Sequence, residues 1–301
     1  MILRYTVTDA DNGMSLGDIL RRRMKLSSAA IRALKRGDGL RVDTVERFTI
    51  YRVTGGEIVT ADVAQAETIG DNLPERGAID VIYEDEGLLA VNKPAGLIVH
   101  PTRARLTGTL SNFAAGYLQA AGEQPVCHII NRLDRDTSGL VLFAKNAHMK
   151  ARMTYALAQG EKQYIAVCWG ALHPAKGVID LPIRRSKPHN MLRIVAPDGR
   201  RAVTHYRTLY QGEMAGQACS ILECTLETGR THQIRVHCLA EGAPLIGDTL
   251  YFTDKSKIWS ANCGVTRQLL HSHKIKFTHP LSGVQINLQA PIADAMFAPF
   301  L

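Results

Sequence analysis

Between residues 79 and 290 the chain returns again and again to apolar runs of strand length. IDVIYED, LLAVNKP, LVLFAKN, EKQYIAVCWG, MLRIVA, AVTHYRTLY, CSILECTLE, LLHSHKIKF and VQINLQ all fit the pattern. Runs of four to eight residues rich in β-branched and aromatic side chains, bounded by turn residues, are strands. AHMKARMTYALAQG, closed by Gly160, has helical spacing instead. Strands outnumber helices and no βα unit recurs at a fixed period. The predicted class is therefore α+β: a large, mostly antiparallel mixed sheet with flanking helices and a cleft. No apolar run approaches the roughly 20 residues of a membrane span. The start, MILRYTVTDADNG, lacks the apolar core of a signal peptide. The six cysteines form no CxxC pair and no zinc spacing, and several lie in apolar runs, so buried reduced thiols are expected. A cytoplasmic setting fits these features.

The first 63 residues follow another pattern. In SLGDILRRRMKL the apolar positions Leu16, Ile19, Leu20 and Met24 share a helical face, with Ser15 as N-cap. SSAAIRALKRGDG repeats the device with Ser27 or Ser28 as cap, Ile31 and Leu34 inward, and Gly37 or Gly39 as stop. LRVDTV, FTIYRV and GGEIVTADV alternate like short strands. The expected organisation is a small α/β unit over 13–63, a polar, Pro-containing linker over 64–78 and a large domain over 79–301.

Formal net charge is +8, which favours a polyanionic partner. The excess is local. From Arg21 to Arg36 there are seven basic residues (Arg21, Arg22, Arg23, Lys25, Arg32, Lys35, Arg36) and no acid. Such a run is either a solvated helix face or a phosphate-binding one. A second basic segment, 183–201, carries Arg184, Arg185 and Lys187 among six cations against Asp198 alone.

Several chemistries lack their residues. There is no GxxxxGK[ST] loop, no GxGxxG after a strand and no GxSxG elbow. His232 and His237 are five apart, a poor spacing for a metal on a helix. Acid–base or isomerising work by side chains alone remains, with no cofactor and no metal.

Two charged segments could do it. In NRLDRDTSG (131–139) acids stand directly before the apolar run LVLFAK, with a Thr-Ser-Gly turn to aim them. In ETGRTHQIRVH (227–237) Arg230 stands beside the turn, where it could meet an acid of the first segment. An arginine within about 4–6 Å favours a carboxylate's ionised form. Tyr164, on a strand, is either core or a surface for an extracted base. Asp134 and Asp136 as a glycosidase pair is a weaker option, because the strand would set their separation.

Taken in order, VNKPAGLIVHP, RLDRDTSGLVLFAK, EKQYIAVCWG, ETGRTHQIRVHCLAEGAPLIGD and HKIKFTHPLSG resemble the motifs of RNA pseudouridine synthases of the RluA type. The resemblance spans about residues 79–290. The basic amino-terminal unit resembles the small RNA-binding domain, named after a ribosomal small-subunit protein, that many members carry. Its hairpin motif is degenerate, with Val42-Asp43-Thr44 at the turn.

The resemblance implies isomerisation of uridines to pseudouridine in structured RNA, ribosomal rather than transfer RNA being the first expectation, by a monomer. By position it implies Asp134 as the catalytic carboxylate, Arg230 as its partner, Tyr164 packed on the target base and assisting proton removal, and Arg132 filling the space of the flipped nucleotide. Asp136 would hold the turn. Asn131 stands where the family commonly has histidine. A non-catalytic RNA-binding or ribosome-assembly factor on the same fold is the alternative. Residues 253–268 receive no role.

Overall fold

A computed structural model describes residues 1–36, 39–63, 73–102, 104–187, 191–293, 295 and 297–300. The expected helix stop at Gly37 and most of the 64–78 linker lie outside the described residues.

The amino-terminal unit has its own core. Strands β1 (Ile2–Thr6), β2 (Leu40–Val42), β3 (Val45–Glu46) and β4 (Ile58–Asp62) form a sheet in the order β1-β4-β2-β3. Helix α1 (Leu16–Asp18) runs on as a π-helical turn over Ile19–Arg23, and α2 is Ser28–Leu34. Ser15 and Ser27 cap these helices, accepting from the N–H groups of Asp18 and Ala30 at 3.1 Å each. Leu16, Ile19, Leu20, Met24, Ile31 and Leu34 are buried together with Val42, Val59 and Ala61. The unit starts earlier than residue 13, because β1 pairs with β4. The expected strand FTIYRV is a loop held by isolated contacts such as Leu16 N–H to Tyr51 O. The β2–β3 turn places Asp43 and Thr44 at φ 46° and 72°. Two successive positive φ values match the twist of a two-residue hairpin. Asp43 stiffens the turn by accepting from Ile58 N–H at 2.8 Å.

The second sheet holds β5 (Val81–Glu84), β6 (Leu88–Lys93), β7 (His128–Ile129), β8 (Ser138–Ala144), β9 (Glu161–Trp169), β10 (Lys176–Asp180), β13 (Val203–Met214), β14 (Gln217–Leu226), β15 (Leu270–Thr278) and β16 (Gln285–Gln289). Its main path is β10-β13-β14-β9-β15-β8-β6-β5, with β16 on β15 and β7 on β8. Every pairing is antiparallel except β15 with β8. A separate hairpin joins β11 (Ile183–Arg185) to β12 (Arg193–Val195).

Four helices cover this sheet: α3 (Leu110–Ala120), α4 (Ala147–Gln159), α5 (Gln233–Ala240) and α6 (Asp254–Asn262). α3 packs Ala114, Ala115 and Leu118 on Val141 and Phe143. α4 packs Met149, Met153 and Leu157 on Leu140 and Leu142. Alternate residues of β8 thus serve opposite helices, and all seven are buried. A strand covered on both faces needs a continuous apolar run. That is why LVLFA follows the charged segment so abruptly. α5 packs Ile234 and Cys238 against Tyr164, Ala166, Leu222 and Cys224. Five of the six cysteines are buried and none forms a disulfide.

Candidate active site

The charged segment 131–137 is the loop that enters β8, and hydrogen bonds hold its first residue and its second half. Asn131 donates to Leu140 O at 3.0 Å and accepts from Leu142 N–H at 2.8 Å, so its amide extends the ladder of β8. Three successive carbonyls are then occupied. Asp134 O accepts from Thr137 N–H at 3.1 Å. Arg135 O accepts from the Lys93 ammonium at 2.8 Å. Asp136 O accepts from Arg267 at 3.1 Å. Gly139 ends the loop at φ 108°, where a Cβ would stand 2.3 Å from Ser272 O, so no other residue fits without moving β15.

Lys93 is fully buried. Its ammonium also donates to Pro94 O and Leu97 O at 2.8 and 2.9 Å. Burial pulls its pKa down to about 7, with Asp136 and Asp134 acting the other way. Three carbonyl acceptors need three N–H donors, and only the protonated amine has them.

The loop turns the Asp134 carboxylate towards α5, where Arg235 meets it, Nη1 to Oδ2 at 2.9 Å. The rest of that guanidinium forks onto Asp248, Nε to Oδ2 at 2.7 Å and Nη2 to Oδ1 at 2.8 Å. Asp248 is anchored in turn by the N–H groups of Leu250 and Tyr251. Burial opposes the charge on Arg235, but hydrogen bonds to Asp248 and the charges of Asp248 and Asp134 outweigh it and raise its pKa. A bidentate pair of this kind fixes orientation as well as charge.

This corrects one expectation. Arg230 is not the partner of Asp134: it is exposed, and its Nε donates to Arg201 O at 2.9 Å. It does line the same cleft, a hollow of about 70 Å³ with Asp134, Arg132, Leu133, Tyr164 and His232 among its walls. The reason lies in the cap of α5. Gln233 Oε1 accepts from Arg230 N–H at 2.9 Å and from the Thr228 hydroxyl at 2.8 Å, which turns the segment so that the next helical turn, carrying Arg235, faces the carboxylate. The sequence held a signal for Arg235. It is an arginine inside the otherwise buried helix QIRVHCLA, and a buried arginine requires anionic partners.

The other expected residues divide. Asp134, Arg132 and Tyr164 share the cleft. Tyr164 is buried, and burial, helped by the Asp134 charge, pushes its phenol up to about 12. At neutral pH it is a neutral phenol, suited to packing on a flat ring and poorly suited to taking a proton. Asp136 pairs with its neighbour Arg135 at 2.9–3.2 Å, which leaves Asp134 as the one acid of the loop that lines the cleft. His237 donates from Nε2 to Leu181 O at 3.0 Å and meets the Thr204 hydroxyl with Nδ1 at 2.9 Å, a structural bond set inside the core. Among the described residues no group of three or more His, Cys, Asp or Glu could hold a metal ion.

The basic residues also divide. Arg21, Arg22, Lys25, Arg32, Lys35 and Arg36 are exposed. Arg23 is not free: its Nε donates to the buried Asp11 at 2.7 Å. Asp18, just before the run, lies 3.7–3.8 Å from Arg22 and Arg21. Arg184 is tied to Asp198 at 2.8 Å, while Arg185 and Lys187 are exposed on the hairpin. That hairpin adjoins the cleft, because Arg193 N–H donates to the Tyr251 hydroxyl beside His232. Lys93, Arg267 and Gln268 escaped the sequence reading. The last donates to Thr137 Oγ1 at 3.2 Å, so the tail of segment 253–268 supports the loop from beneath.

A long mixed sheet flanked by helices carries one arginine-held carboxylate at a cleft walled by Tyr164, Leu133 and Leu270. The comparisons with known proteins identify its family. The RNA pseudouridylate synthase family profile matches residues 87–240. The uncharacterized RNA pseudouridine synthase YhcT of Bacillus subtilis is 35% identical over 98% of this chain and 95% of its own length. Ribosomal large subunit pseudouridine synthase D of Neisseria meningitidis is 37% identical over 82% of this chain and 67% of its own. Human RNA Pseudouridylate Synthase Domain Containing 1 shares the fold, with a TM-score of 0.58 at 22% identity over 75% of this chain and 86% of that one. The chain belongs to the RNA pseudouridylate synthase family and is an isomerase that converts uridine to pseudouridine in RNA.

Proposed function

We propose that the substrate is ribosomal RNA, that Asp134 is the catalytic carboxylate, and that the amino-terminal unit is an RNA-binding module. The observation that carries this reading is the Asp134–Arg235–Asp248 array opening on a cleft walled by Tyr164. The reaction breaks the bond from N1 of uracil to the sugar, turns the ring and joins C5 to the same carbon. N1 gains a proton and C5 loses one, so atoms balance and no electrons leave. A carboxylate fixed on Oδ2 by Arg235 keeps Oδ1 free to act on the sugar. The base must leave its stack, at about a few kcal/mol, and Arg132, exposed and lining the cleft, would fill the gap.

Ribosomal RNA is favoured because relatives such as those of Neisseria meningitidis and Nitrosomonas europaea carry large-subunit names. The exposed Arg21, Arg22, Lys25, Arg32, Lys35 and Arg36 would supply the charge such a module needs for phosphate. No helix of the described residues is long and apolar enough to cross a membrane. The test is to map pseudouridine in ribosomal and transfer RNA from a deletion strain and a complemented one. Loss confined to large-subunit ribosomal sites is expected. Loss confined to transfer RNA would overturn the substrate assignment.

A further inference from the structure

His232 sits beside Asp134 in a conformation that a histidine does not adopt without cause. Its φ is 60° and ψ 20°, in the left-handed region, and its side chain does not cap α5 although it occupies the N-cap position. That backbone costs about 1–2 kcal/mol, and an outlier at a cleft invites a functional account. What it achieves is direction. Nδ1 lies 2.8 Å from the Tyr251 hydroxyl, and Nε2 faces Asp134 Oδ1 at 3.7 Å. The imidazole edge also stands against the Tyr251 ring at 5.5 Å between centroids.

The proton positions follow from accounting. The Tyr251 oxygen already accepts from Arg193 N–H at 2.8 Å. Its own proton has His232 Nδ1 as its partner. An imidazole nitrogen that accepts must be unprotonated, so the neutral ring carries its proton on Nε2, the nitrogen that faces the carboxylate. Arg235 occupies the other oxygen, Oδ2.

We propose that His232 is a positioning residue for Asp134, its tautomer set by Tyr251 so that Nε2–H faces the carboxylate oxygen Arg235 leaves free. The proposal rests on the reading of Asp134 as the catalytic group. The 3.7 Å gap is longer than a hydrogen bond, and such contacts commonly tighten only when substrate fills the site. Filling this cleft with a nucleotide displaces water from both groups and shortens the gap. The charged and titratable groups around the ring are Asp134 on the loop, Arg235 on α5, Arg193 on β12, and Asp248 and Tyr251 on the segment after α5. Burial lowers the His232 pKa, Arg235 and Arg193 add to that, and Asp134 and Asp248 oppose it, so the ring is held neutral and its tautomer matters.

Three measurements test this. Nitrogen-15 NMR of the wild-type protein should show His232 protonated on Nε2 at neutral pH; protonation on Nδ1 alone would overturn the proposal. Single-turnover tritium release by His232→Phe should fall at least roughly tenfold, a usual scale for a lost proton-positioning contact, while RNA affinity stays within about twofold. His232→Gln, which keeps an N–H near the Nε2 position, should recover most of the rate. Equal rates for wild type and His232→Phe would refute the role. Tyr251→Phe frees the tautomer and should be slow at pH 8. It should approach wild type only as pH falls far enough to protonate the ring, below the usual imidazole range, because protonation restores Nε2–H. A defect of equal size at every pH would mean that Tyr251 acts only as packing. If wild type releases no tritium from any RNA, the functional reading fails, and the NMR result still decides the tautomer.

Discussion

Arg235 lies between two carboxylates, and that decides what each substitution in the cleft will do. Its side chain is 4% exposed and that of Asp248 is fully buried. Arg235→Met would strand a buried acid, at a cost of about 3–5 kcal/mol in unfolding free energy. Arg235→Lys keeps charge but not the fork. It should fold and lose roughly a hundredfold or more in turnover, the scale of a misplaced reacting group. Arg230→Ala, on an exposed residue, should lose less than about tenfold, chiefly in RNA affinity. The reverse ranking would restore Arg230 as the partner. The sequence pointed to the segment that meets Asp134 but to Arg230, where the structure has Arg235. The two arginines are five residues apart, and which one faces Asp134 depends on the Gln233 cap and the left-handed His232, neither of which periodicity reveals. The resemblance points to Asp134 rather than Asp136, and in the structure Asp136 pairs with Arg135 while Asp134 lines the cleft.

Elements were legible wherever pattern and burial agree. The helix caps Ser15 and Ser27, the doubly covered β8 and the strands β9, β12, β13, β14, β15 and β16 follow from residue type and spacing, whereas the short β10 and β11 do not. FTIYRV failed because alternation alone does not supply a partner strand. β1 was missed although MILRYT alternates, because its partner β4 lies more than fifty residues away. The basic run looks uniform in sequence, yet Arg23, itself exposed, is tied to the buried Asp11. Alanine at Arg21 and Arg22 together should lower the salt-dependence slope of RNA binding by about 1.5, two phosphate contacts' worth, and leave stability unchanged. Arg23→Ala should instead destabilise the amino-terminal unit. Filter binding across a salt series, with urea unfolding in parallel, separates the two. An unchanged slope for the double variant would remove those arginines from the RNA interface.

At the scale of the whole molecule, burial leaves a cost that pH exposes. Burial lowers the pKa of His148, His232, His237 and His273, the first to about 4 with Arg152 adding to the effect. Each folded value lies below the unfolded one near 6.5. The unfolded chain therefore binds more protons through that window, so stability rises with pH up to about 6.5 and is lost as pH falls towards 4. His148 contributes about 1–3 kcal/mol of this after allowance for its partial solvent screening. His148→Leu should flatten the urea midpoint between pH 6.5 and 4.5, and an equally steep fall in the variant would show that other groups carry it.

The most direct test of the account is tritium release from RNA labelled at C5 of uracil, compared between wild type and Asp134→Asn at equal RNA occupancy. The account predicts release by wild type and none above background by the variant, with binding retained. Equal release by both would show that the chemistry proceeds without the Asp134 carboxylate.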